Sequence, residues 1–279
     1  MNGFILVNKH KGVSSNFVVQ EIKKKIKAKK VGHMGTLDPL ASGLLVLAVN
    51  RATKFANYFL ESDKSYDVEV LFGISTDTDD STGNIIFESN NCPNKTLVKK
   101  ELYALKGESL QVPPFFSALK YKGRPLYKYA RSGEFISKPA RKISILNIEN
   151  FEFKNKICSF RIQCSKGTYI RSIARDLGES LGCGAHMKSL SRISQGDFSI
   201  SKAKKVGNIS INNIVSIEEA FEFLEVINIK PELEKKFING VPIPELKRKD
   251  NMYRVFDKNN TFIGIGEIKD DFLRHKQLV

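Results

Sequence analysis

The chain has 279 residues, 41% of them hydrophobic, and a formal net charge of +15 from 45 Lys and Arg against 30 Asp and Glu. That length can bury a full core in one large domain or two unequal ones, and that charge favours a polyanionic partner over a neutral metabolite. No apolar run approaches the ~20 residues that span a bilayer, Met1 to Val7 lacks the charged n-region of a signal peptide, and the four cysteines show no CxxC spacing for zinc or a disulfide framework.

A reducing cytoplasm fits this composition, and an anionic membrane surface becomes the weaker partner beside nucleic acid. Phe4 to Val7 reads as a strand, with Lys9 to Val13 as a basic turn after it. Ser14 and Ser15 offer N-caps for a helix whose apolar face is Val18, Val19, Ile22 and Ile26. Its other face and its end carry Lys23, Lys24, Lys25, Lys27, Lys29 and Lys30 with no balancing acid nearby, a pattern for a solvated face or for phosphate contact.

The stretch Gly32 to Gly43 then holds one carboxylate, Asp38, between glycine-punctuated turns and directly before Pro39. Two jobs suit it. Asp followed by Pro is a common N-cap and N1 pair, and an exposed carboxylate in a tight loop is a potential nucleophile. Leu44 to Val49 reads as a buried strand, Ala52 to Leu60 as a short helix, and Tyr66, Val68, Val70 and Phe72 as the apolar face of a strand ending at Gly73. Thr76 to Gly83 resembles a calcium loop only superficially, because the twelfth-position glutamate and the flanking helices are missing, so a polar loop is expected.

Val112-Pro113-Pro114 opens a segment in which cations and aromatics interleave as far as Arg131, suited to a loop closing over unstacked bases or to a solvated hairpin. Cys158, Phe160, Ile162 and Cys164 form the inward face of a further strand. It leads to a helix with Ile170, Ile173, Ala174, Leu177 and Leu181 on one face, stopped by Gly182. Arg171 falls in the first turn, where the helix dipole disfavours a cation, so an anionic partner is expected, and Asp38 is the candidate. From about Leu224 short strands with turn signals predominate: Lys235 to Val241, Tyr253 to Phe256 and Thr261 to Ile268, the last with internal glycines that suggest a curved wall.

Taken in order, several of these stretches resemble the bacterial tRNA pseudouridine synthase B family. They are Lys9-x-x-Gly12-x-Ser14-Ser15, the whole of Gly32 to Gly43, Lys64-x-Tyr66, Ser117 to Lys120, Cys164 to Arg171 and Leu181 to His186. The likeness runs from Phe4 to about Phe198 and more weakly beyond. It implies an α+β fold: a pseudouridine synthase catalytic domain on a mixed, largely antiparallel sheet over residues 1–225, with an RNA-contacting insertion at about 111–140. A small β-barrel-like PUA module would occupy 226–279.

The resemblance further implies isomerisation of uridine 55 in the tRNA TΨC loop to pseudouridine by base flipping. No cofactor, metal, guide RNA or obligatory protein partner is expected, and a monomer is. Position by position, Asp38 matches the catalytic aspartate, Tyr66 the tyrosine that stacks on the target base, and Arg171 the arginine that pairs with the aspartate. His33 matches the histidine that fills space when the base leaves, and Lys9, Tyr169 and Leu190 match supporting pocket residues. Met34, Thr36 and Ser191 depart from frequent family residues without touching the proposed chemistry. Lys29, Lys30, Lys120, Lys122, Arg124 and Arg131 are expected on RNA phosphates, where cations set affinity rather than selectivity.

The chemistry suits these residue types. An ionised carboxylate can hold one fragment while the N1–C1′ bond breaks and C5 joins C1′, and a neighbouring arginine favours the charged form. Stacking on a tyrosine, about 1–3 kcal/mol, offsets much of the cost of flipping a nucleotide. Left open are whether Asp38 attacks C6 or C1′, and whether Tyr66 also serves as a base. An RNA-folding chaperone that flips bases without catalysis fits the basic surface as well. A guide-RNA-dependent relative fits less well, because the chain has no long basic extension.

Overall fold

The computed structural model describes all 279 residues. The chain begins with β1 (Gly3–Lys9), α1 (Ser15–Lys25), β2 (Val31–His33) and β3 (Ser42–Val49). A 3-10 turn at Asn50–Phe55 runs into α2 (Ala56–Leu60), so the helix expected from Ala52 starts in a tighter form. β4 (Lys64–Phe72), β5 (Ile74–Thr76), β6 (Ile85–Glu88), α3 (Lys95–Ala104) and β7 (Gly107–Gln111) follow. The basic and aromatic segment is a small hairpin, β8 (Lys120–Tyr121) and β9 (Arg124–Pro125), with α4 (Leu126–Ala130) after it.

Then come β10 (Arg141–Lys154), β11 (Ile157–Cys164), α5 (Ile170–Ser180), β12 (Ala185–Gln195) and β13 (Phe198–Ser199). β14 (Val215–Ser216) and α6 (Ile217–Ala220) lead into the last stretch. It comprises β15 (Val226–Asn228), α7 (Pro231–Ile238), β16 (Ile243–Pro244), β17 (Asn251–Phe256), β18 (Phe262–Lys269) and β19 (Phe272–Leu278).

The main sheet has ten strands on the path β14-β1-β3-β12-β4-β11-β10-β7, with β2 beside β3 and β13 beside β12. All its pairings are antiparallel except β3 with β12, where Ser42 meets Ser191 and Gly43 meets Arg192. Gly43 has φ of +98°, and a Cβ there would lie 2.4 Å from the Arg192 carbonyl oxygen, so only glycine allows the two strands to close at this point.

One face carries Ile5, Val7, Leu45, Leu47, Tyr66, Val68 and Phe160, covered by Val18, Val19 and Ile22 of α1, Val98 and Leu102 of α3, and Ile173 and Leu177 of α5. On the opposite face Phe4, Leu6, Leu44 and Val46 pack with Phe55, Phe59, Phe221 and Ile265 of β18. β1 and β3 are covered on both sides and read as unbroken apolar runs, whereas β4 keeps Asp67 and Glu69 outward and alternates cleanly.

The last stretch is an open five-stranded sheet, β15-β17-β18-β19-β16. Phe237 of α7 packs on Tyr253, Val255, Ile268 and Leu273. β17 and β18 correspond to the strands expected at Tyr253 to Phe256 and Thr261 to Ile268. The strand expected at Lys235–Val241 is instead the last turn of α7 and the turn that follows it. Pro231 at the first turn, Glu232 and Glu234 behind it, and Lys235 and Lys236 in the last turn all complement a helix and its dipole.

Candidate active site

Asp38 does not cap a helix. Ala41 N donates to its carbonyl at 3.0 Å, closing a turn with Pro39 inside it, and the chain passes straight into β3. The loop is fixed residue by residue. Ser14 Oγ caps α1 by accepting from Phe17 N at 3.1 Å. Ser15 is buried and both accepts from Leu37 N and donates to Leu37 O, each at 2.8 Å. Lys9, read from sequence as the start of a basic turn, ends β1 and is wholly buried. Its ammonium donates to Val13 O at 2.8 Å and His10 O at 3.1 Å, and lies 3.5 Å from Pro39 O. Burial lowers its pKa to about 8, against the opposing pull of the Asp38 charge.

Arg171 is brought up behind Asp38 by α5. Its Nε lies 2.9 Å from Asp38 Oδ2, with the arginine side chain 6% exposed and the aspartate 39%. Nη1 donates to Thr78 O at 3.2 Å and Nη2 to Phe116 O at 2.9 Å. A second carboxylate stands behind the guanidinium: Asp80 Oδ2 lies 3.9 Å from Nε. Asp80 is buried, and its Oδ1 accepts from Thr78 Oγ1 at 2.9 Å, Thr82 N at 2.9 Å and Thr82 Oγ1 at 2.5 Å. Arg171 is therefore held on three sides, and the carboxylate it presents to the open side is Asp38.

The loop after β5 is polar as expected, yet it buries the residue that backs Arg171. Three acids among Asp77, Asp79 and Asp80, with no basic residue nearby in sequence, were the available signal. The neighbouring Asp79 is raised to about 6 by burial, with Arg175 Nη1 3.2 Å from its carboxylate pulling the other way.

The start of α5 is set by Gln111, a buried residue at the end of β7. Its amide donates to Tyr169 O at 3.0 Å and accepts from Tyr169 N at 2.8 Å, and Tyr169 has no side-chain cap of its own. The Arg141 guanidinium lies over the Tyr169 ring, 4.4 Å from its centroid. Nothing in the local sequence marks Gln111 beyond its place just before Val112-Pro113-Pro114.

A cavity of about 600 Å³ opens over Asp38, lined also by His33, Ser117, Tyr127, Arg131, Tyr169 and Arg171. A smaller recess of about 110 Å³ joins Asp38 and Arg171 to Tyr66, Tyr169, Met187 and Leu190. Tyr66 is buried, and burial pushes its phenol up to about 12, so it is a neutral hydroxyl at neutral pH. His33 ends β2 at the cavity wall, its Nδ1 buried without a partner and its pKa lowered by burial.

The structure thus brings Asp38, Tyr169 and Arg171 to the shared wall of two cavities, with His33 in the larger, Tyr66 and Leu190 in the smaller, and Lys9 against the Pro39 turn. Of the six cations expected on RNA, Arg131 lines the cavity. Lys29 and Lys30 are exposed between α1 and β2, and Lys120, Lys122 and Arg124 are exposed on the hairpin. Arg124 stacks on Tyr129 at 4.7 Å and Arg131 on Tyr127 at 5.5 Å.

Family models match almost end to end. "TruB family pseudouridylate synthase (N terminal domain)" matches residues 23–170, "tRNA pseudouridylate synthase B C-terminal domain" 171–220, and "Pseudouridine synthase II TruB, C-terminal" 226–279. The tRNA pseudouridine synthase B of Clostridium kluyveri is 40% identical over 279 residues, covering 97% of this chain and 96% of that one. That of Francisella tularensis subsp. tularensis is 38% identical over 286 residues, covering 99% and 94%. Among solved structures, an H/ACA RNP bound to a substrate RNA containing 2'-deoxyuridine aligns with a TM-score of 0.72 at 21% identity, covering 99% of this chain and 84% of that one. A Cbf5-Nop10-Gar1 complex gives 0.72 at 22% with the same coverage. At these identities the two structures speak for the fold.

Proposed function

Because the chain belongs to the TruB family of pseudouridine synthases, we propose that it isomerises uridine 55 in the TΨC loop of tRNA, with Asp38 as the nucleophile. Its relatives carry the broader activity in their names, conversion of a tRNA uridine to pseudouridine. The observation that carries the reading is the Asp38 carboxylate, partly open to a cavity of about 600 Å³ and held at 2.9 Å by a buried arginine.

The residues divide the work as follows. Arg171 holds and aims the Asp38 carboxylate through its 2.9 Å contact. The flipped uracil enters the recess against Tyr66 and Leu190, where aromatic stacking returns about 1–3 kcal/mol of the cost of extrusion. Asp38 bonds to one fragment as N1–C1′ breaks. The base turns, C5 bonds to C1′, the bond to Asp38 breaks again to return the free carboxylate, and the C5 proton leaves as N1 gains one. His33 fills the place vacated in the RNA, and Tyr169 and Lys9 shape the pocket and the Pro39 turn.

Residues 1–225 carry this chemistry. The 111–140 insertion closes over the loop with Arg131 inside and Lys120, Lys122 and Arg124 on phosphates. Lys29 and Lys30 hold the backbone on the α1 side, and 226–279 serves as a PUA-like RNA-binding module. The protein acts as a monomer, without a guide RNA or cofactor.

The test is a pseudouridine map of a tRNA transcript incubated with the purified protein. A single new pseudouridine in the TΨC loop, absent with Asp38→Asn, is expected. Modification by Asp38→Asn contradicts the assignment.

A further inference from the structure

Arg192 is among the largest wholly buried side chains, at 1% exposure. A buried guanidinium normally faces a carboxylate, because an uncompensated charge away from water is costly. Here no carboxylate faces it: the side chain directly opposite, where β12 pairs with β4, is the neutral Tyr66 phenol. Two of its hydrogen bonds go to backbone. Nε donates to Leu44 O at 2.7 Å and Nη2 to Gly35 O at 3.0 Å.

Those two carbonyls lie on either side of Asp38, one where the loop leaves β2 and the other where it enters β3. One rigid fork therefore spans both ends of the loop that carries the carboxylate. Gly35 has φ of +119°, a conformation that L side chains rarely adopt, and a Cβ there would be in ordinary van der Waals contact with Arg192 Nη1 at 3.5 Å. Gln195, three residues on, adds bonds to Met34 O and, at 2.8 Å, to Phe59 O.

We propose that Arg192 is a positioning residue for Asp38. Its planar fork fixes the separation of Gly35 and Leu44, and with it the direction in which Asp38 meets the target nucleotide. It also places a guanidinium beside Tyr66, which lines the recess. It touches no substrate. The inference rests on the reading that Asp38 is the nucleophile.

Two variants test it. Arg192→Lys keeps a cation but offers one nitrogen to two carbonyls, and Arg192→Gln keeps a donor without charge; neither spans both. Each is compared with wild type by melting temperature, by affinity for unmodified tRNA, and by the single-turnover rate of pseudouridine formation at saturating enzyme. We expect tRNA affinity within about twofold and a saturated rate lower by about 100-fold, the scale of a 1 Å misplacement.

A merely structural role lowers the melting temperature and leaves the rate per folded, tRNA-bound enzyme unchanged, which overturns the proposal. Weaker binding with an intact saturated rate, or failure of both variants to fold, overturns it as well. The underlying reading fails separately, and visibly, if the wild-type protein forms no pseudouridine or if Asp38→Asn still does.

Discussion

Arg171→Lys isolates the part of the site that aims Asp38, the proposed nucleophile. The guanidinium makes one contact to Asp38 at 2.9 Å and donates to Thr78 O at 3.2 Å and Phe116 O at 2.9 Å. A lysine keeps the charge but has a single nitrogen on a flexible stem, so it cannot hold Asp38 and both carbonyls at once. Hydrogen bonds to charged groups are worth about 1.5–3 kcal/mol each. If the one lost at Asp38 is about 2–3 kcal/mol in the transition state, the rate falls roughly 30- to 150-fold at 1.36 kcal/mol per decade.

The assay is release of tritium from tRNA labelled at uridine C5, under single turnover with enzyme saturating, beside a filter-binding measurement of Kd. We expect the saturated rate to carry the loss and Kd to move by less than about threefold, the pattern of an interaction made at the reacting centre. A wild-type saturated rate with Kd weakened more than about tenfold would make Arg171 an RNA contact and refute its role in orienting Asp38.

Two further outcomes follow from neighbouring groups. Gln111→Leu removes both amide bonds that hold Tyr169 N and O, and urea melts should show about 2–4 kcal/mol less stability. A loss under about 1 kcal/mol would mean that water replaces the amide there. Burial holds Lys9 at about 8 against an ordinary 10.5, so between these values the folded protein binds fewer protons than the unfolded chain. Its contribution to stability rises with pH across that window and is flat below it. Lys64, also lowered to about 8 by burial, acts in the same direction. Lys9→Met should flatten part of the rise in melts from about pH 7 to about pH 10, and an unaltered slope would show that Lys9 titrates normally.

Local signals carried much of the fold into view. The alternation of Tyr66, Val68, Val70 and Phe72, the Ser14 cap, and the helical spacing from Ile170 to Leu177 each fall where the structure has them. The cation against the dipole at Arg171 pointed to an acid, and Asp38 lies beside it. What escaped depends on contacts made across the chain. Lys9 reads as a basic turn because the carbonyl of Pro39 that helps to bury it lies 30 residues away.

Asp80 hides among similar polar neighbours, and only the approach of α5 distinguishes it from Asp77. The partner of Gln111 is 58 residues distant. Arg192 sits in a strand whose alternation of polar residues gives no hint that one of them is buried. In the last stretch, Lys235 to Val241 has strand-like composition, and the helix signals that override it stand upstream at Pro231, Glu232 and Glu234.

The central claim is that Asp38 performs the chemistry on a tRNA uridine. A nucleotide-resolution pseudouridine map of a tRNA transcript, treated in parallel with wild-type protein and Asp38→Asn without added cofactor, tests it most directly. One new pseudouridine in the TΨC loop with wild type, and none with Asp38→Asn despite tRNA binding within a few-fold, is the predicted result. Tight binding with no modification by wild type, or modification that survives Asp38→Asn, would contradict it.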